Sequence, residues 1–138
     1  MLPLTMRILA VDFGTRRMGL ASWDTAAPVV IPINPITGSD AGAMERDLAR
    51  IIQDEAFDRV VLGLPLNMDG TEGAMAKTVR ELGSRLSEKG IDITYMDERL
   101  TSREASNRVS RKARRSRNGR LDSISASLIL EAYVETLA

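Results

Sequence analysis

The chain contains no cysteine and no histidine. Without cysteine there is no disulfide, no thiol nucleophile and no soft metal ligand, which fits a cytoplasmic location. Without histidine the commonest general base is missing as well. Aromatic residues are scarce, with two Phe, two Tyr and one Trp, which argues against a platform on which nucleobases stack. No apolar run approaches the roughly 20 residues of a membrane span. The opening Met1-Leu2-Pro3-Leu4-Thr5 also lacks the charged start and apolar stretch of a signal peptide. If the chain is an enzyme, its chemistry falls to carboxylates and a hard metal ion.

What is present suits one soluble domain. The 138 residues are 43% hydrophobic and 28% charged, enough for a real core. Patterned sequence begins at Met6, a candidate alternative start, so a single domain is expected over 6–138. The run Arg7 to Phe13 reads as a buried strand, followed after a short turn by a second strand over Met18 to Trp23. Val29 to Ile33 suggests a third strand, placed at an edge by Pro32. Met44, Leu48, Ile51 and Ile52 recur at helical spacing, which predicts a helix over Asp40 to Glu55. A short buried strand, Arg59 to Gly63, precedes the turn-rich loop Asn67-Met68-Asp69-Gly70. Met75, Val79, Leu82 and Leu86 mark a second helix, ended by Gly90. Ile91 to Met96 alternates as the last strand. Thr101-Ser102-Arg103-Glu104 has capping-box form, so a helix is expected to start just after Glu98. Leu121, Ile124, Leu128, Tyr133 and Leu137 mark a final helix. This βββαβαβα order implies an α/β fold with one mixed five-stranded sheet and helices packed on its faces.

Formal net charge is zero, yet its distribution is lopsided. Between Arg99 and Arg120 lie Arg103, Arg108, Arg111, Lys112, Arg114, Arg115 and Arg117, opposed only by Glu104. A mostly arginine segment of this density is the electrostatic footprint of a phosphate-backbone binder, the plainer alternative being a solvated loop.

Three acids occupy privileged points. Asp12 ends strand 1, Glu98 follows the last strand, and Asp122 opens the final helix. Function in open α/β sheets gathers at the carboxyl ends of the strands. If strands 1, 4 and 5 are parallel, Asp12 and Glu98 emerge on one rim, and Asp122 joins them if the final helix lies across it. Three carboxylates distant in sequence are a usual way to hold Mg²⁺ or Mn²⁺. Two such ions about 4 Å apart can activate water and stabilise the leaving oxygen of a phosphodiester. Each acid has a plainer alternative. Asp12 could accept hydrogen bonds from the Gly14-Thr15 turn, Glu98 could pair with Arg99 or Arg103, and Asp122 could be a helix-start acid favoured by the dipole. Asp97 competes with Glu98 for its role. Gly14 and Gly19 read as residues that permit tight backbone at the hairpin. Arg17 either braces a phosphate or pairs with a local acid. Asn67 either reaches the rim or closes an Asx-turn, and Thr15 either touches substrate or caps its turn.

These residues also carry a resemblance. Asp12-Phe13-Gly14-Thr15-Arg16-Arg17-Met18-Gly19-Leu20-Ala21 resembles the opening motif of the YqgF family of pre-16S rRNA nucleases, also called Holliday-junction-resolvase-like proteins. Gly63-Leu64-Pro65-Leu66-Asn67-Met68-Asp69-Gly70-Thr71-Glu72-Gly73 resembles its long and specific second motif. Asp97-Glu98-Arg99-Leu100-Thr101 resembles the third, and Asp122 with the apolar run through Leu130 the fourth. The resemblance implies an RNase H-like fold of the RuvC-like group, Asp12, Glu98 and Asp122 as metal-binding carboxylates, and a role in maturing the 5′ end of 16S ribosomal RNA in bacterial cytoplasm. Arg120 departs from the lysine usual there. That change keeps a phosphate contact and excludes proton donation. The stretch from Glu104 to Arg120 is also shorter than is typical.

The expected function is metal-dependent hydrolysis of RNA phosphodiesters. Asp12, Glu98 and Asp122 would be catalytic, and Thr15, Arg17, Asn67, Arg99, Arg103, Arg111, Lys112, Arg114, Arg115 and Arg120 would contact substrate. The same chemistry on branched DNA is the first alternative, and it would need two active sites in a symmetric dimer. The chain is accordingly expected to be a monomer or a homodimer. A non-catalytic RNA-binding assembly factor is the second alternative. An actin-like ATPase, which shares the Asp-x-Gly-Thr opening, would need two such domains, for which one 138-residue domain is too short, so it is the least expected reading.

Overall fold

A computed structural model describes residues 5–100 and 123–137. Five strands form one mixed sheet: β1 (Arg7–Phe13), β2 (Arg17–Asp24), β3 (Ala27–Thr37), β4 (Arg59–Leu64) and β5 (Ile93–Asp97). Their spatial order is β3-β2-β1-β4-β5. The β1–β2 and β2–β3 pairs are antiparallel, whereas β4 runs parallel to both β1 and β5. Three helices are described: α1 (Ala41–Asp54), α2 (Ala74–Glu88) and α3 (Ile124–Glu135). The parallel pairs follow from the crossovers, since a helix carries the chain back across the face of the sheet, so that the next strand starts from the same end as the one before it.

Both faces of the central strands are covered, which is why β1 and β4 read as continuous apolar runs. Leu9, Val11, Leu20, Val60 and Leu62 pack against Met44, Leu48 and Ile52 of α1 and Val79, Leu82 and Leu86 of α2. Ile8, Ala10, Ala21, Val61 and Met96 face the other way, onto Ala126, Ile129, Leu130 and Tyr133 of α3. The start of α1 and the end of α2 follow their sequence signals. The Asp40 carboxylate accepts from the Gly42 amide at 2.9 Å, and Gly90 leaves α2 at φ +87°.

Several elements differ from the sequence expectation. β3 spans 11 residues rather than five, carrying Pro28, Pro32 and Pro35 along the edge of the sheet. An edge strand tolerates these prolines because one side of its backbone has no partner strand. β5 starts at Ile93 rather than Ile91. The chain after it forms a 3₁₀ turn, Glu98–Leu100, while the capping box Thr101–Glu104 lies outside the described residues.

One buried hydroxyl docks α3. Ser123 is fully buried. Its Oγ accepts from the Leu20 amide at 3.1 Å and donates to the Ile33 carbonyl at 2.7 Å. Leu20 and Ile33 are partners in register, beside an irregularity of the β2–β3 ladder. The hydroxyl thus bridges the two strands and sets where α3 begins. Replacing Ser123 by Ala leaves a buried donor and a buried acceptor without this partner. The expected loss is about 1–3 kcal/mol of stability, read as a lower urea midpoint at unchanged slope.

Candidate active site

Parallel pairing sends the carboxyl ends of β1, β4 and β5 to one rim. Asp12 is the penultimate residue of β1, and Glu98 directly follows β5. β4 lies between those strands, so their backbones are about 10 Å apart at the usual strand spacing. Two side chains can close that distance only across the top of β4. There the sequence places Gly63, opposite Met96 in the ladder. A Cβ added to Gly63 would lie 2.7 Å from Glu98 Oε1 and 2.4 Å from Ile129 Cδ1. The absence of a side chain at this position is what lets Glu98 meet Asp12.

Strand alternation selects which acid takes part. Met96 belongs to the core facing α3, while Tyr95 packs with the α1–α2 core. With successive side chains on opposite faces, Glu98 follows Met96 to the α3 side and Asp97 goes to the other. Asp97 is indeed engaged elsewhere, pairing with Arg99 at 2.8 Å. Glu98 hydrogen-bonds to Asp12.

Asp12, Glu98, Ser125, Leu128 and Ile129 line an open cleft of about 280 Å³. Burial raises the Asp12 carboxyl above the ordinary aspartate range, and hydrogen bonds with Glu98 and Ser125 pull it partly back. Glu98 is pushed up to about 7, chiefly by burial, then by the hydrogen bond to Asp12 and the negative charges of Asp12 and Asp97. Two carboxylates in contact cannot both ionise cheaply, so one keeps a proton. A divalent cation could replace that proton. The donors are all hard oxygens, the set that suits Mg²⁺ or Mn²⁺. Among the described residues the acids number two; no group of three potential ligands is present there.

The other candidates fall into three groups. Asp122, Arg103, Arg111, Lys112, Arg114, Arg115 and Arg120 lie outside the described residues. Thr15 and Arg17 are exposed where β1 turns into β2, and neither lines the cleft. Gly14 makes the turn possible, because a Cβ there would sit 2.6 Å from the Arg17 carbonyl oxygen. Asn67 and Arg99 turn into the protein's own structure. The Asn67 amide Nδ2 donates to Thr71 Oγ1 at 2.9 Å, and the Asx-turn of this loop belongs to Asp69, which accepts from the Thr71 amide at 3.0 Å. Sequence reasoning assigned no site role to Gly63 or Ser125. A glycine inside a buried strand was a usable signal for the first, since it marks close approach of another group. Ser125 carried only a weak one, as a serine in an otherwise apolar helix.

Residues 6–136 match the family model described as RuvX, Holliday junction resolvase. A protein of Shewanella oneidensis named as a pre-16S rRNA nuclease is 37% identical over 131 residues, covering 93% of each chain. One from Actinobacillus succinogenes, with the same name, is 35% identical over 133 residues, covering 94% of this chain and 95% of its own. In three dimensions the fold is similar to Thermus thermophilus RuvC, with a TM-score of 0.61 at 12% identity, covering 95% of this chain and 96% of that one. It is also similar to the fowlpox virus resolvase solved with Holliday junction DNA, with a TM-score of 0.59 at 18% identity, covering 96% and 99%. The architecture is therefore the RNase H-like one.

The carboxylate pair has a measurable signature. Its folded-state affinity for a proton exceeds the unfolded one, so cation-free protein loses stability as pH rises from about 4.5 to 7 and then levels off. With no histidine in the chain, no other side chain ordinarily titrates between pH 5 and 8. Urea midpoints in EDTA should fall from pH 5.5 to 8 in the wild type and stay nearly level in Glu98→Gln. A level wild-type profile would refute the raised carboxyl. Gly63→Ala should destabilise by about 1–3 kcal/mol through overpacking. Adding Ile129→Val, which removes the clashing Cδ1, should recover only part of that loss in the same unfolding assay, because the contact with Glu98 remains.

Proposed function

Because the chain belongs to the RuvX Holliday junction resolvase family, we propose that it is a divalent-metal-dependent nuclease. Its substrate in this reading is the precursor of 16S ribosomal RNA, cleaved during 5′-end maturation. The observation that carries the proposal is the meeting of Asp12 and Glu98 in an open cleft at the strand ends, over Gly63. The pre-16S nuclease name of relatives at 35% and 37% identity favours RNA as the substrate.

Asp12, Glu98 and Asp122 would hold Mg²⁺ or Mn²⁺. When bound, the cation supplies charge neutralisation for the carboxylates and Lewis-acid stabilisation of a phosphodiester oxygen. The chain's own residues do the rest. Ser125 hydrogen-bonds to Asp12 and restricts its carboxylate. Leu128 and Ile129 give the cleft an apolar wall that limits solvent on that side. The arginine-rich segment from Arg103 to Arg120, with Thr15 and Arg17 at the β1–β2 turn, holds and orients the phosphate backbone. The shape likeness to two junction resolvases supports branched DNA as the second reading. Among the described residues no helix is long and apolar enough to cross a membrane.

Cleavage of a labelled RNA carrying the 16S 5′ leader tests the proposal, with a four-way DNA junction run beside it. Mg²⁺, Mn²⁺ and EDTA would be compared in wild type and Asp12→Asn. Metal-dependent RNA cleavage is expected, reduced roughly a hundredfold or more in Asp12→Asn, since even outer-sphere partners of a metal site cost up to about that factor. RNA binding should survive the substitution. Cleavage of the junction alone would transfer the assignment to branched DNA. Binding without cleavage in every metal would leave a non-catalytic assembly factor.

A further inference from the structure

Glu98 sits between two residues that are bonded to each other. The Arg99 amide donates to Asp97 Oδ1 at 2.9 Å. Arg99 Nε donates to Oδ1 and Oδ2, both at 3.1 Å, and Nη2 donates to Oδ2 at 2.8 Å. The remaining terminal nitrogen, Nη1, donates to the Met68 carbonyl at 3.3 Å. That carbonyl belongs to a loop with its own closing bonds. The Asn67 amide donates to the Thr71 carbonyl at 2.9 Å, and the Gly70 amide donates to the Asn67 carbonyl at 2.8 Å. Gly70 adopts φ +87°, and a Cβ there would lie 3.7 Å from Arg99 Nη1. The guanidinium is therefore held on one side by its own strand end and on the other by a hydrogen-bonded loop. It does not line the cleft that contains Glu98.

A carboxylate fork on a guanidinium is directional. Closing residues 97 and 99 on each other across residue 98 limits the backbone directions in which Glu98 can project. Its side chain then leaves on the opposite face, toward Asp12 and over Gly63. We propose that Asp97 and Arg99 form a positioning clamp for Glu98, and that Arg99 serves the site through this clamp rather than as a phosphate contact. The clamp rests on the nuclease reading only for its consequence in catalysis; its effect on cation binding is independent of the substrate.

The test uses Asp97→Asn, Arg99→Gln, Arg99→Lys and the Asp97→Asn/Arg99→Gln double variant of the full chain. Glu45→Gln serves as a control, because it breaks the comparably exposed Glu45–Arg85 pair between α1 and α2. Mn²⁺ affinity is measured by electron paramagnetic resonance without RNA, and kcat and KM on the leader RNA are measured separately. Circular dichroism confirms that each variant is folded. The clamp predicts that both single variants weaken Mn²⁺ binding and lower kcat by about tenfold, with KM nearly unchanged. The double variant should be no worse than the weaker single, because one interaction is removed in all three. Arg99→Lys should not restore either value, since lysine lacks the fork. The control should match the wild type. A phosphate role for Arg99 gives a different pattern: Asp97→Asn harmless, and Arg99→Gln raising KM alone. That pattern would overturn the clamp. If the wild type cleaves no RNA, the nuclease reading fails by itself, while equal Mn²⁺ affinities across wild type and variants would separately overturn the clamp.

Discussion

Two carboxylates meeting above a residue that has no side chain is the constraint on which this structure turns. Asp12 and Glu98 come from strands that are not neighbours, and each alone would be an ordinary acid at a sheet rim. Bringing them together requires β1, β4 and β5 to be parallel, so that all three end on the same side. It requires Gly63 at the crossing point and α3 above it to half-bury the pair. Burial is what makes the arrangement chemically useful. It raises both carboxyl groups, so the pair holds a proton that a cation could replace.

The docking of α3 shows how the fold meets that requirement. The helix is apolar enough to cover one whole face of the sheet, and hydrophobic contact alone would leave its axial position loosely defined. The buried Ser123 hydroxyl, bridging Leu20 and Ile33, supplies the directional contact. Ser125 then falls beside Asp12, and Ile129 over Gly63. On the other face the described polar contact between helix and sheet is weaker: the Tyr95 hydroxyl donates to the Arg80 carbonyl of α2 at 3.4 Å. The packing of α1 and α2 is a large apolar cluster with exposed ion pairs such as Glu45–Arg85 around it.

Much of this was legible in the residue pattern. The five strands, and the placing of Asp12 and Glu98 at strand ends, follow from apolar runs, turn signals and element order; a shared rim followed only if β1, β4 and β5 ran parallel, as they do. The sequence favoured Glu98 but left Asp97 as its competitor, because the alternation of β5 does not say which of its faces meets the final helix; the packing of Met96 against α3 decides it. Arg99 and Asn67 looked like substrate contacts because arginine and asparagine at a functional rim usually are. Their hydrogen bonds instead run to Asp97, Met68 and Thr71, partners set by loop geometry. β3 was underestimated because its three prolines resemble strand breakers, and only its edge position makes them tolerable.

By itself the amino-acid sequence determined the composition of the chemistry. A chain without cysteine or histidine, with acids at strand ends and an arginine-rich segment, has hard oxygen ligands and cationic backbone contacts at its disposal and little else. It also determined the order of elements, since hydrophobic period and turn residues are local properties. Tertiary structure alone decided which acids touch, which arginine is spent on holding another side chain, and why a glycine stands in the fourth strand. Those outcomes depend on distances between residues dozens of positions apart. They exist only once the strands are side by side and a helix has closed over them.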